Sequence, residues 1–353
     1  MAKILMKGNE AIGEAAMRAG LDAFFGYPIT PQNELPEYMS REMPKRGKVF
    51  VQAESEIAAI NMVYGAAGCG KRVMTSSSSP GIALKQEGIS YIAACQLPCV
   101  IVSIGRGGPG LGGIQPAQAD YNQSTRGGGN GDYKLLVYAP ANIQEMCDMI
   151  MDSFPKAEEY RTPVMIVADG MIGQMMEPVE FKEMNEGERE TPWWATTGTK
   201  NKREHNIVNS LFLKPDVLER HNIELFEKFK KMQENEQDYE LYNMEDDCEI
   251  VTVAYGTTSR IVRNAIDKLA AEGRKVGLIR PKTLWPFPTK AFEKYPKNAK
   301  AILVVEMSMG QMIDDVRATN EGRLPVDFYG RSGGMIPTPE AVEQKLREML
   351  GGK

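Results

Sequence analysis

Histidine is almost missing from this sequence: His205 and His221 are the only two among 353 residues. A histidine-based metal site or a Ser-His-Asp triad therefore has little material to draw on. Both histidines sit among charged residues and read as solvated surface positions. Cysteine is also scarce. Cys69, Cys95, Cys99, Cys147 and Cys248 are odd in number and scattered, which argues against a disulfide framework. They form no CxxC pair, so the sequence holds no recognisable iron-sulfur site of its own. No apolar run reaches 18 residues, and the opening MAKILMKGNE has too short an apolar patch for a signal h-region, so a cytoplasmic protein without membrane contact is expected. Forty-two basic against 47 acidic residues give a net charge of -5, with no basic block to track a phosphate backbone. Nucleic acid is not an expected partner.

What is present suits a folded α/β protein. Hydrophobic residues make up 42% and charged residues 25%, over a length of roughly two average domains. From residue 9 to 170, extended and helical patterns alternate as in βα units, which predicts a parallel sheet covered by helices. Strands are expected at Ala23–Tyr27, Val49–Gln52, Arg72–Thr75, Cys99–Ile104 and Val164–Ala168. A first helix is expected with Asn9 as its cap and Gly20 as its stop, and further helices at Pro31–Met43, Ser55–Cys69, Ile82–Cys95 and Ile143–Phe154. The alternation stops near residue 180. A charged connecting arm, 181–247, carries one amphipathic helix with Val217, Leu218, Leu225, Phe226, Phe229 and Met232. A second α/β run then fills 248–353, closing with a helix capped by Thr338 and started by Pro339. The expected domains are thus 1–180 and 248–353, joined by the arm.

Two glycine motifs mislead. Gly65 to Lys71 matches GxxxxGK, but Arg72 stands where magnesium needs a hydroxyl, and the glycines end a helix instead of starting one. Gly105 to Gly110 fits GxGxxG after a strand, yet no apolar helical period follows, as a dinucleotide site requires.

Four strand ends carry the chemistry. Thr30 and Pro31 sit where a strand gives way to a helix, as a cap and first helical residue, or as a site for a small carboxylate. Glu54 and Glu56 open the next helix; they either complement its dipole or bring one buried glutamate to a cofactor's protonated ring nitrogen. Thr75 to Ser79 offer several hydroxyls, or a solvated turn. Arg106, in a glycine-rich loop, can fork onto a carboxylate or lie on the surface. In a parallel sheet these four ends share one edge, where α/β folds bind ligands.

The wording at those ends, YPITP at 27–31, SEIAAI at 55–60, SSSSPGIALKQEGI at 76–89 and RGGPGLGG at 106–113, resembles the alpha-type subunit of 2-oxoacid:ferredoxin oxidoreductases. AYGTTSR at 254–260, IRPKTLWPFP at 279–288, VVEMSMGQM at 304–312 and YGRSGG at 329–334 extend the likeness over nearly the whole chain, though not to the charged arm. PWWATTGTKNKREHN at 192–206 points to the 2-oxoisovalerate (branched-chain) branch. The resemblance implies a thiamin-diphosphate-binding, pyrimidine-type domain followed by a domain like the C-terminal domain of transketolase. It implies that Glu56 pairs with the aminopyrimidine ring nitrogen and favours the imino form that deprotonates the thiazolium carbon. Thr30 and Arg106 would hold the substrate carboxylate, and Ser79 would touch the cofactor. A GDG-type magnesium and diphosphate motif is missing, Asp132 and Asp169 not fitting one. The diphosphate, Mg2+ and iron-sulfur clusters then belong to partners: a thiamin-diphosphate-binding beta-type subunit and a ferredoxin-like cluster subunit, with ferredoxin as acceptor and coenzyme A taking the acyl group. The alternatives are a 2-oxoglutarate enzyme, a non-oxidative thiamin enzyme and a non-catalytic assembly subunit.

Overall fold

Apolar runs too short for helices and bounded by polar junctions become buried strands here, while the longer periodic stretches cover them. The computed structural model describes residues 3–183, 187 and 189–351. In chain order the elements are β1 (Ile4–Lys7), α1 (Gly8–Arg18), β2 (Ala23–Gly26), α2 (Glu34–Glu42), β3 (Val49–Gln52), α3 (Glu56–Gly68), β4 (Val73–Ser77), α4 (Ser79–Ala94), β5 (Cys99–Gly105), α5 (Tyr121–Arg126), β6 (Leu136–Tyr138), α6 (Ile143–Tyr160), β7 (Pro163–Asp169), α7 (Gly170–Gln174) and β8 (Met176–Val179). After the crossing come α8 (Pro215–Asn235), β9 (Tyr239–Tyr242), β10 (Ile250–Val253), α9 (Gly256–Ala271), β11 (Val276–Pro281), β12 (Thr283–Trp285), β13 (Ala301–Glu306), α10 (Met312–Asn320), β14 (Val326–Gly330) and α11 (Pro339–Met349).

The first sheet has the order β12-β6-β7-β5-β4-β2-β3 and is parallel except for β12. Every residue of β4, β5 and β7 is buried, as expected of strands covered on both faces. Register aligns the carboxyl ends: Gly26 pairs with Gln52, Ser77 with Ser103, and Gly105 with Asp169. The second sheet has the order β14-β13-β10-β11-β9, antiparallel only at β9. Thr338 caps α11 through the amide of Ala341 at 3.2 Å, as its sequence position predicts.

The expected strands and helices all appear, but three starts move, α4 beginning at Ser79 instead of the expected Ile82 because Ser79 and Pro80 already form its first turn. Helix α1 begins at Gly8, and the Asn9 amide does not cap it; it donates to the Pro31 carbonyl and to Glu34, both at 2.9 Å. Helix α2 begins at Glu34 instead of Pro31, so Thr30 is no cap and the stretch Tyr27–Asn33 is an irregular loop pinned by Asn9 and by Gln174. The glycines after α3 do end that helix, with Gly70 at φ +74. No helix follows the Gly105–Gly110 run until Tyr121.

The arm is more than a connector. Leu225, Phe229 and Met232 of α8 are buried, while Leu218 and Phe226 face outward. Strand β9, within 239–242, is an edge of the second sheet, and β12 reaches back to the first. His221 is half-buried, stacks on Phe212 and contacts the Ala94 carbonyl at 2.7 Å, so it pins α8 to the end of α4 instead of being solvated; His205 is exposed. The two units are locked by Gln118: its side-chain oxygen accepts from Thr258 Oγ1 at 2.7 Å and Met307 N at 3.0 Å, and its amide donates to the Tyr255 carbonyl at 2.9 Å. All five cysteines are free, and Cys69 alone among them is exposed. Among the described residues no helix is long and apolar enough to cross a membrane, and no group of metal-ligating side chains gathers.

Candidate active site

The carboxyl ends of β2, β3, β4 and β5 bring the sequence candidates to one edge around the first turn of α4. Ser55 caps α3, its hydroxyl accepting from the Ala58 amide at 3.2 Å, which places Glu56 at the first helical position. Glu56 is buried, 7% exposed, and points toward α4 rather than solvent, while Glu54 is exposed. Burial thus removes the surface-dipole explanation for Glu56. A methyl group placed on Gly81 would lie 2.1 Å from Ser77 Oγ and 2.6 Å from Glu56 Oε1. Only glycine leaves room for the carboxylate and the Ser77 hydroxyl to converge there.

Arg106 is likewise buried, 7% exposed. Its guanidinium donates to the Thr30 carbonyl at 2.9 Å and to the Leu111 carbonyl at 3.1 Å, and Nε has no partner. Thr30 meets Arg106 through its main chain; its hydroxyl accepts from the Asn33 amide at 3.5 Å. Ser79 holds Arg106 from the other side: its hydroxyl contacts the carboxylate of Asp120 and the Arg106 carbonyl at 3.2 Å and accepts from the Arg106 amide at 3.0 Å. Burial raises the Asp120 carboxyl above its ordinary range, against the pull of Ser79 and the Arg106 charge. Ser79 is therefore committed within the chain. The hydroxyls of Ser77 and Ser78, also buried, have no partner among the described residues. Buried polar groups are usually paired, so this cluster of exceptions, with Arg106 Nε and Asn33 Oδ1, marks an edge shaped for something besides this chain.

Sequence reasoning missed Lys85, which is 0% exposed and donates to Thr75 Oγ1 at 3.0 Å. Its position was weakly signalled: Gly81 and Lys85 are four apart on α4 and so share a face, but Leu84 is the residue hydropathy would bury, and Leu84 is 51% exposed. Asp120 and Gln118 were missed as well, lying in a stretch without periodicity.

The edge and fold have known counterparts. A family model for pyruvate flavodoxin/ferredoxin oxidoreductase, thiamine diphosphate-binding, matches residues 14–253, and one for pyruvate:ferredoxin oxidoreductase core domain II matches 248–342. The chain is 49% identical over 351 residues to ketoisovalerate oxidoreductase subunit VorB of Methanothermobacter marburgensis, covering 99% of each. It is 35% identical to 2-oxoglutarate synthase subunit KorA of Methanocaldococcus jannaschii, covering 97% of this chain and 98% of the relative. Among solved structures, a 2-oxoglutarate:ferredoxin oxidoreductase from Magnetococcus marinus with 2-oxoglutarate, coenzyme A and succinyl-CoA bound superposes with a TM-score of 0.87 at 29% identity; the match covers 98% of this chain and 65% of that one. A split-gene transketolase shares the fold, with a TM-score of 0.59 at 15% identity and 98% of each chain covered. The architecture is therefore that of a thiamin-diphosphate-binding domain followed by a transketolase-like α/β domain. The chain belongs to the 2-oxoacid:ferredoxin oxidoreductase family.

Proposed function

We propose that this chain is the pyrimidine-side subunit of a 2-oxoacid:ferredoxin oxidoreductase acting on branched-chain 2-oxo acids such as 3-methyl-2-oxobutanoate. The 2-oxo acid and coenzyme A yield an acyl-CoA, CO2 and a proton, and the two electrons released pass to ferredoxin. The observation that carries the reading is the buried Glu56 carboxylate converging with the unpartnered Ser77 hydroxyl at Gly81, on the edge that also carries unpartnered Ser78 and the buried Arg106, whose main chain is held by Ser79 of the same helix. The 49% identity to a ketoisovalerate enzyme subunit supports the branched-chain assignment.

These residues fit thiamin diphosphate, which supplies a nucleophilic carbon able to stabilise the charge left by decarboxylation. Glu56 accepts a hydrogen bond from its pyrimidine ring nitrogen and so fixes where the proton sits. Ser77 and Ser78 offer hydroxyls to the same ring. Arg106 Nε, with Thr30 beside it, holds the substrate carboxylate. Ser79 and Asp120 act behind them, fixing the Arg106 main chain. The diphosphate, Mg2+ and iron-sulfur clusters are assigned to the beta-type and ferredoxin-like partner subunits, because these 353 residues contain neither a GDG motif nor a CxxC pair. Leu111, Ile114, Met309 and Met335 are exposed on loops that follow β5, β13 and β14, an apolar rim suited to a partner subunit. Free thiols fit a reducing, cytoplasmic setting.

The test is to co-purify the chain with its partners and follow coenzyme-A-dependent viologen reduction with 3-methyl-2-oxobutanoate, 2-oxoglutarate and pyruvate. The highest kcat/KM is expected with the branched-chain acid. No reduction with any of them removes the oxidoreductase reading, and a preference for 2-oxoglutarate removes the substrate assignment alone.

A further inference from the structure

A lysine with no exposed surface is unusual enough to need a reason, because burial strips water from a charge that nothing yet compensates. Lys85 lies on the inward face of α4, one turn beyond Gly81, the glycine whose missing side chain makes room for the Glu56 carboxylate. Its ammonium has three donors, and Thr75 Oγ1 takes one of them. Thr75, on β4, is itself fully buried, so the threonine fixes where the charge sits. The hydrogen bond goes to Thr75 and not to Glu56, so the glutamate is left free to meet a ligand while still feeling the cation. Burial pulls the Lys85 ammonium down to about 8, and the Glu56 charge works against that fall. Neither group has an ion-pair partner within 4 Å among the described residues, and Glu56 is the one charge whose field acts on Lys85. Arg106 and Asp120, also buried at this edge, are linked to each other through Ser79.

Resting on the role of Glu56 given above, we infer that Lys85 is a positioning residue: its buried ammonium, fixed by Thr75 one α4 turn beyond the glycine that makes room for the Glu56 carboxylate, favours that carboxylate as the acceptor of the proton-bearing ring nitrogen of the cofactor over a donor to it. A carboxyl group and a ring nitrogen share one proton between them. Without a nearby cation, a buried carboxyl group tends to keep that proton, since burial disfavours its charged form. A cation behind the carboxylate reverses the preference and leaves the proton on the ring. Lys85, Glu56 and the ring nitrogen then alternate in charge, positive, negative, positive, and Thr75 anchors the far end.

The experiment is a double-mutant cycle in the assembled complex, with Lys85→Met and Glu56→Gln singly and together, and with thiamin diphosphate affinity measured by titration in the presence of magnesium. Lys85→Met is expected to weaken affinity about tenfold in the parent and less than twofold in the Glu56→Gln background, since a carboxamide has no charge for the lysine to hold. It should lower kcat about tenfold and leave the KM for the 2-oxo acid within twofold, because Arg106 and Thr30 are untouched. Thr75→Val, which keeps the ammonium but loosens it, should show a smaller loss of the same kind and serves if Lys85→Met does not assemble. Equal losses in the two backgrounds, with Glu56→Gln itself impaired, overturn the inference for Lys85 and leave the role of Glu56 standing. A Glu56→Gln complex with parental affinity and turnover overturns both.

Discussion

At the carboxyl edge of the seven-stranded sheet, the buried hydroxyls of Ser77, Ser78 and Ser103 and the Nε of Arg106 have no partner among the described residues. At the same edge of the five-stranded sheet, the fully buried Glu306 accepts from Ser308 Oγ at 2.9 Å and from the amides of Gln311, Met312 and Ile313 at 3.0–3.3 Å. Burial pushes the Glu306 carboxyl up, and those donors hold it back. Both edges bring a glutamate to the start of a helix, Glu56 as the first residue of α3 and Glu306 at the end of β13, facing the start of α10. Around Glu306 the second edge is closed by the chain's own donors, and Thr257 Oγ1 is its one buried hydroxyl left without a partner among the described residues; the first edge leaves several. The difference shows that strand ends in α/β units are not functional by position alone: an edge is a site when its buried polar groups remain unspent.

Substitutions at the first edge should therefore spare stability and damage chemistry, and those at the second should do the reverse. The largest effect is expected from Glu56→Gln, which keeps shape and removes the charge. Turnover of the assembled complex should fall at least about a hundredfold, the usual scale for losing an acid-base group, with the melting temperature within a degree or so of the parent. Unchanged turnover would remove Glu56 from the chemistry. Next comes Arg106→Met. It should raise the apparent KM for the 2-oxo acid or lower turnover about tenfold, matching one charge-assisted hydrogen bond of about 1.5–3 kcal/mol. Kinetics unchanged from the parent would show instead that Arg106 serves only its carbonyl partners, Thr30 and Leu111.

This contrast between edges was half legible in the sequence. The βα alternation, the strand ends and the presence of Thr30, Glu56 and Arg106 on one edge follow from periodicity and from the geometry of parallel sheets. Which of those side chains turn inward does not follow. Glu54 and Glu56 are equivalent by composition, and only the capping of α3 by Ser55 sends the second inward. Ser77, Ser78 and Ser79 read alike, yet Asp120, distant in sequence, engages the third and leaves the first two free. Lys85 was hidden because its neighbour Leu84 took the exposed position, a reversal of hydropathy that a one-dimensional pattern cannot express. Thr30 as a helix cap failed for a related reason: Asn9 and Gln174 hold the carbonyl of Pro31 and the carboxylate of Glu34, so long-range hydrogen bonds fix a loop where the local signal favours a helix start.

The second edge offers the converse test. Glu306→Gln replaces an acceptor oxygen with an amide that faces amide donors, so at least one of four hydrogen bonds is lost and a buried donor is stranded. That should cost about 1–3 kcal/mol and lower the melting temperature by a few degrees, with KM and cofactor affinity unchanged. A loss of cofactor affinity with an unchanged melting point would mean that the second edge also contributes to binding.

The smallest effect, and the sharpest comparison, comes from removing one hydroxyl at each edge. Ser77 and Ser308 are both buried, and each stands beside a glutamate. Ser308→Ala deletes a donor that Glu306 uses and should destabilise by about 1 kcal/mol while leaving catalysis alone. Ser77→Ala deletes a hydroxyl without a partner, so the cofactor-free complex should melt at the parental temperature or slightly above it, because an unpaired buried hydroxyl costs desolvation and returns nothing. Thiamin diphosphate affinity should nevertheless fall about two- to fivefold, the scale of one neutral hydrogen bond of about 0.5–1 kcal/mol. Paired thermal melts, with and without cofactor, read both quantities at once. If Ser77→Ala lowers the melting temperature without cofactor as far as Ser308→Ala does, the hydroxyl is structural after all, and the distinction between an open and a closed edge fails at the residue that defines it.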